Sequence, residues 1–297
     1  MKYWWYLFVF MLIFSCDKEE ATSSVTPPTN LLETIIYKQI DGVDPNLLSL
    51  DIYYNNATEV RKPVVIYVHG GGWSIGDKAN QLDNKISLFR SLDYLLVSIN
   101  YRLSPFPYEI NNSDRIKYPI HNEDVAEAIK WVANNIDQYG GDADKIALLG
   151  HSAGAHLVAL TGTNETFLQQ VGLNFSDIKG VAAIDTEGYD VLAKVVANDE
   201  LYQNAFGTNM EQNRQASPIF NITTGTKYPH FFIAKRGSFR RISIANEFIQ
   251  SLEQQGTKVF QVNGSIYDHQ GINLAIGLED ETLITDELVA FLAICFQ

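Results

Sequence analysis

The chain has 297 residues, 46% of them hydrophobic, enough to bury one large core without requiring a second full domain. Its 35 acidic residues against 22 basic give a net charge of −13 at pH 7, which argues against nucleic acid or an anionic membrane surface as a partner, since both demand clustered positive charge. The two cysteines, Cys16 and Cys295, lie at opposite ends, so no disulfide framework follows from them.

After Met1 and Lys2, residues 3–14 are apolar and lead into Ser15-Cys16. This stretch is far shorter than the ~20 residues a spanning helix needs, and 1–15 reads as a signal segment. The small residue before the cysteine resembles the lipobox of bacterial lipoproteins, which implies cleavage before Cys16 and a lipid on its thiol. Residues 17–30 are polar and contain the pair Pro27-Pro28; such a segment cannot bury enough surface to fold, so 16–31 reads as a flexible tether. The run Asp17-Lys18-Glu19-Glu20 resembles export signals of Bacteroidetes surface lipoproteins. The domain over 32–297 is therefore expected in the cell envelope or at its surface, meeting a membrane only through the lipid on Cys16.

From residue 32 onward strands and helices alternate. The strand-like runs 32–40 and 47–54 flank a turn-rich connection with Gly42 and Pro45, suited to an antiparallel pair. Residues 62–68 and 94–101 are continuous apolar runs, as expected of central strands covered on both faces. Between them 82–92 carries apolar residues at helical spacing, and 120–136 is an amphipathic helix in which Ala126, Ile129, Trp131 and Val132 alternate with charges. Further strands are predicted at 145–149, 179–184, 229–234 and 258–262, with helices at 244–255 and 282–296. Eight strands, most alternating with helices, describe an α/β class with an open, mostly parallel sheet. The stretch 191–227, between the sixth and seventh strands, is long for a connection and reads either as short helices over the site or as an irregular excursion.

Two glycine motifs stand where strands end. Tyr67-Val68-His69-Gly70-Gly71-Gly72-Trp73 closes the third strand, and three glycines there let backbone N–H groups approach a developing negative charge. Gly150-His151-Ser152-Ala153-Gly154 reads G-x-S-x-G between the apolar fifth strand and a helix beginning Ala155-His156-Leu157. A serine on such a turn has its hydroxyl pushed out above the sheet, and the flanking glycines tolerate the crowded backbone.

With these motifs, Asn100-Tyr101-Arg102-Leu103-Ser104-Pro105 and Tyr139-Gly140-Gly141-Asp142 complete a pattern that resembles the α/β-hydrolase superfamily, in its hormone-sensitive-lipase-like and feruloyl-esterase-like branch. The resemblance covers residues 32–297. It implies a three-layer fold, Ser152 as nucleophile, and an oxyanion held by the backbone N–H groups of Gly71, Gly72 and Ala153.

The base follows by elimination among six histidines. In this fold the triad runs Ser, acid, His along the chain, which removes His69, His121 and His151. His156 points into packing one turn beyond Ser152, and His230 sits at the entry of the seventh strand, on the opposite edge of the sheet. His269, in the loop leaving the eighth strand, remains. The acid departs from the family pattern. The loop after the seventh strand, Ala234-Lys235-Arg236-Gly237-Ser238-Phe239-Arg240-Arg241, has no carboxylate, and Ser238 stands where one is expected. The sixth strand ends in Asp185-Thr186-Glu187-Gly188-Tyr189-Asp190, with three carboxylates at the same sheet edge. Asp185 is the first choice, then Asp190 and Glu187, and all three also suit turn capping. Asp268 is disfavoured, being adjacent to His269.

The cations Lys235, Arg236, Arg240 and Arg241 either receive a carboxylate of the substrate or pair with local acids. Trp73, Tyr101 and Tyr189 are candidates for the pocket wall, with core packing as the alternative. No H-E-x-x-H, paired-cysteine or phosphate-loop pattern is present, so no metal or cofactor is expected. The sequence thus predicts an exported serine esterase acting on a small-molecule or polysaccharide-linked ester, acetyl and feruloyl esters among them. Its rivals are a glycan-binding module on a degenerate hydrolase scaffold and an amidase or peptidase.

Overall fold

Among the described residues, eight strands form one sheet in the order β1-β2-β4-β3-β5-β6-β7-β8. They are β1 (Asn30–Ile36), β2 (Ser49–Asn55), β3 (Lys62–Val68), β4 (Leu95–Ile99), β5 (Gly141–His151), β6 (Gly180–Ile184), β7 (His230–Lys235) and β8 (Val259–Asn263). The β1–β2 and β2–β4 pairs are antiparallel and every other pair is parallel. The structure, a computed structural model, describes Met1, residues 30–55 and residues 60–297. The signal segment beyond Met1, the expected lipid site at Cys16 and the tether up to residue 29 lie outside the described residues.

The described residues form ten α-helices, eight between strands and two after β8: α1 (Asp83–Ser91), α2 (Ile120–Asn135), α3 (Ala153–Thr161), α4 (Thr166–Gln170), α5 (Val191–Val196), α6 (Glu200–Phe206), α7 (Met210–Gln215), α8 (Phe239–Glu253), α9 (Gly271–Ala275) and α10 (Thr285–Cys295). Successive strand residues face opposite sides, so the sheet divides the core in two. Val64, Ile66 and Val68 pack with Val125 and Ile129 of α2, Leu157 of α3 and Phe248 of α8. Val65 and Tyr67 pack with Phe89 of α1 and Leu288 and Phe291 of α10. Both faces being covered explains why β4 and β6 are buried at every position. No helix among the described residues is long and apolar enough to cross a membrane.

All eight predicted strands are present, β3 at its predicted bounds and the other seven with shifted ends. β1 begins at Asn30, so residues 30 and 31, assigned to the tether, belong to the edge strand, where they pair with Asn55 and Tyr54. β1 also stops at Ile36: the Tyr37 N–H still donates to the Leu48 carbonyl, but Leu48 ends the short helical turn Pro45–Leu48, so no strand faces β1 beyond that point. β5 runs from Gly141 rather than 145: a register shift between Lys62 and Val64 of β3 lets Gly141 pair upstream of the regular ladder. α8 starts at Phe239 instead of 244, since Ser238 caps it by accepting from the Arg241 N–H. Ser238, at the position where the family places its acid, is thus a helix cap.

The parallel strands β5 to β8 deliver their C-terminal loops to one edge, the usual place for a ligand in an open α/β sheet. The excursion after β6 forms α5, α6 and α7 and folds back over that edge. Buried Lys85 of α1 reaches the same region: its ammonium donates to the carbonyls of Gln81 and Asn273, tying α1 to α9, and burial pushes its pKa down to about 7.

Candidate active site

Ser152 sits between β5 and α3 at φ 56° and ψ −116°, a left-handed conformation unusual for a non-glycine residue. Close packing holds it there. A Cβ on Gly150 would lie 2.3 Å from the Gly154 carbonyl oxygen, and one on Gly154 only 2.0 Å from that of Val68. Both positions therefore exclude any side chain. The Ser152 N–H donates to the Ile184 carbonyl (2.9 Å), pinning the turn to the end of β6.

His269 and Asp185 meet this serine. The Ser152 hydroxyl donates to His269 Nε2 (2.9 Å), and His269 Nδ1–H donates to Asp185 Oδ2 (2.6 Å). Asp185 is buried, and its N–H donates to the Ala234 carbonyl. Its burial raises the cost of its charge, but hydrogen bonds from His269, Arg236 and Arg241 outweigh that and depress its pKa from 3.8 to about 2. An ionised Asp185 can only accept, which places the imidazole proton on Nδ1 and leaves Nε2 to receive from serine. His151 supports the loop from below, its Nε2–H donating to the His269 carbonyl (2.8 Å). Burial, and then the proximity of His269, lower the His151 pKa to about 3, so it is neutral at physiological pH.

The remaining carboxylates after β6 have other work. Asp190 caps α5 by accepting from the Ala193 N–H (2.9 Å). Glu187 pairs with Arg241 (2.7 Å) and Lys194 (3.2 Å). Asp268 accepts from the Gly271 N–H in its own turn.

Gly72, Trp73 and Ala153 line an open cavity of about 170 Å³ together with Ser152, Asp185 and His269. Gly71 lines the neighbouring cavity, with His69, Asp77 and Gln270. Trp73 is wedged at φ 57° and makes edge contacts with Tyr202 (5.0 Å) and Phe206 (4.9 Å) of α6, so the excursion forms the far wall. Leu201, Tyr202 and Lys194 of that excursion were not singled out by the sequence, which carries no period marking which side of a short helix faces a site. Tyr189 corrects the expected pocket wall. The helical turn Gly188–Asp190 swings its ring back onto Phe248 of α8 (4.5 Å, stacked), where it is buried and absent from the cavity lining. Tyr101 is likewise core, stacked on His69 with its hydroxyl on the His69 carbonyl. His156 packs as expected, its Nε2 on the Ala216 carbonyl.

Of the four cations, Arg236 and Arg241 pair with Asp185, Lys235 bonds to Asn246 and Gln261, and Arg240 lines a separate cavity with Asp190 and Glu247. Among the described residues, His151, Asp185 and His269 are the one trio close enough to hold a metal. The donor set does not suit a cation: both nitrogens of His269 and both oxygens of Asp185 are engaged, and two guanidinium groups face the carboxylate.

Residues 50–237 match the BD-FAE family. The chain belongs to the BD-FAE family. The matched stretch contains the triple glycine, the serine turn and Asp185, while His269 lies beyond it. The chain is 31% identical over 207 residues to the probable carboxylic ester hydrolase LipM of Mycobacterium tuberculosis, covering 65% of this chain and 45% of that one. It is 30% identical over 231 residues to esterase LipC of the same organism, covering 71% and 53%. It thus spans about half the length of the curated relatives it matches. Among solved structures it superposes on esterase B of Lactobacillus rhamnosis with a TM-score of 0.70 at 17% identity, over 90% of this chain and 86% of that one. A truncated carbohydrate esterase from gut microbiota superposes with a TM-score of 0.70 at 15% identity, over 89% and 96%. For this BD-FAE chain the likeness establishes the three-layer α/β-hydrolase fold.

Proposed function

We propose that this protein is a serine carboxylic ester hydrolase, with Ser152 as nucleophile, His269 as general base and acid, and Asp185 as the acid of the triad. The observation that carries the reading is the continuous hydrogen-bond chain from Ser152 Oγ through His269 to Asp185 at the sheet edge. Ser152 Oγ attacks the ester carbonyl while His269 Nε2 takes its proton. The tetrahedral oxyanion lies toward the N–H groups of Gly71, Gly72 and Ala153, and collapse expels the alcohol with the proton from Nε2. Water, deprotonated by His269, then attacks the acyl-enzyme, and the carboxylic acid leaves as Ser152 recovers its proton.

Support for the ester class comes from the LipM and LipC relatives. The glycan-binding alternative rests on the missing carboxylate after β7, and the contact of Asp185 with His269 supports the hydrolase over it. With export and a lipid on Cys16, as read from the N-terminus, the substrates are acetyl, feruloyl or similar esters on polysaccharide. Turnover by the purified protein on a panel of acetylated, feruloylated and lipid esters, with a matched amide, tests this. Preferential cleavage of the polysaccharide esters is expected; faster cleavage of the amide overturns the reading.

The oxyanion assignment makes its own prediction. Gly71 adopts φ 112°, and a Cβ there would lie 1.9 Å from the Ile75 carbonyl oxygen. Gly71→Ala must displace the loop, so kcat is expected to fall by about 10²-fold or more for the best ester, with the circular-dichroism spectrum retained.

A further inference from the structure

The loop that lacks the expected acid supplies two cations to the acid actually present. Arg236 stands just past β7 and Arg241 in the first turn of α8, and both reach Asp185 across the sheet edge. Arg241 Nη2 donates to Oδ1 (2.5 Å) and its Nη1 to Glu187 (2.7 Å). Arg236 Nη1 donates to Oδ2 (2.8 Å), the same oxygen that accepts from His269. Arg236 Nε donates to the carbonyl of Tyr267 (3.0 Å), two residues before His269. One planar guanidinium therefore fixes both the carboxylate that orients the imidazole and the backbone that carries it.

Two features separate this from an ordinary surface ion pair. The Asp185 side chain is 1% exposed while the Arg236 side chain is 18% exposed, so the pair is largely shielded from water. Arg236 is also absent from the lining of the cavity at Ser152, unlike Arg241. Its effect on catalysis has to pass through Asp185 and His269.

We propose that Arg236 is a positioning residue of the triad, holding Asp185 and the His269 loop in register from the strand end where the family's acid is missing. The inference rests on the reading of Ser152 and His269 as the catalytic pair. Because it acts on the geometry of proton transfer and not on substrate, its loss appears in kcat.

The test compares wild type, Arg236→Gln, Arg236→Lys, Asp185→Asn and the Asp185→Asn/Arg236→Gln double variant, reading kcat and KM on a p-nitrophenyl ester and the rate of Ser152 labelling by a fluorophosphonate. Arg236→Gln is expected to lower kcat and the labelling rate by about 10- to 100-fold with KM within about twofold, since a displacement of about 1 Å costs that much. Arg236→Lys is expected to recover part of the loss, its charge still opposite Asp185. In the Asp185→Asn background the same glutamine should cost less than about threefold, because the carboxylate it positions is no longer there. An equal fold loss in both backgrounds, a loss confined to KM, or wild-type kcat in Arg236→Gln overturns the inference. Should Arg236→Gln fold poorly, Arg236→Lys alone decides: full activity with the fork removed counts against positioning. Ester turnover surviving in Ser152→Ala overturns the underlying reading instead, so the two failures are distinguishable.

Discussion

Ser152→Ala is expected to lower kcat on a short-chain p-nitrophenyl ester by roughly 10⁵- to 10⁶-fold, because no other nucleophile replaces the hydroxyl and the acyl-enzyme cannot form. What remains comes from the oxyanion N–H groups and from holding the ester near water. KM should change little, since the serine hydroxyl contributes to the transition state far more than to ground-state binding. Folding should be nearly unaffected. Alanine loses one hydrogen bond, to His269 Nε2, worth about 1 kcal/mol, and it occupies the φ of 56° under the same packing from Gly150 and Gly154. Kinetics on purified wild type and variant, with a thermal melt of each, make the measurement. Turnover unchanged by the substitution would sink the covalent mechanism. A melt displaced by more than about 5 °C would mean that the loss reflects folding rather than chemistry.

The sequence exposes those parts of this site that depend on short-range pattern. Strands buried on both faces write themselves as apolar runs, and all eight were legible. Glycines at the serine turn and after β3 are required by backbone crowding, so the Ser152 turn and the glycine loop were legible too. His269 emerged because chain order and strand position exclude the alternatives. Illegible were the contacts that depend on where side chains meet after folding. Arg236 and Arg241 lie 51 and 56 residues from Asp185. Their pairing with acids was one of two readings, but nothing local named the partner. Of the three carboxylates in six residues after β6 the sequence puts Asp185 first but leaves Asp190 and Glu187 open, and the folded turn gives Asp190 to the cap of α5 and Glu187 to an ion pair. The same turn misled the placement of Tyr189, because motif proximity does not specify which way a ring points.

The proposed place of the acid at the end of β6 predicts a particular response to Asp185→Asn. Three donors converge on this carboxylate: His269 Nδ1 and Arg236 on one oxygen, Arg241 on the other. An asparagine has one acceptor oxygen and one NH2 group, so one side must place donor against donor. Turning the oxygen toward His269 and Arg236 preserves two bonds and drives Arg241 toward Glu187, with which it already pairs. In that arrangement the imidazole keeps its tautomer, while the imidazolium formed in the transition state loses its counter-charge. The opposite flip also forces the wrong tautomer. kcat is accordingly expected to fall by about 10²- to 10⁴-fold, the upper end requiring the flip. Stability should change with a distinct pH signature. A carboxyl whose pKa is depressed from 3.8 to about 2 contributes stability that is present above pH 3.8 and lost as pH falls toward 2. Wild type should lose that increment over this window and Asp185→Asn should not, as denaturant melts at successive pH values would record. Asp190→Asn retains a capping oxygen and should leave kcat within a few-fold, as should Glu187→Gln, which loosens Arg241 and Lys194 but leaves the Asp185 contacts in place. A large kcat loss in Asp190→Asn with none in Asp185→Asn would move the acid to the helix cap and leave the His269 contact without a catalytic role.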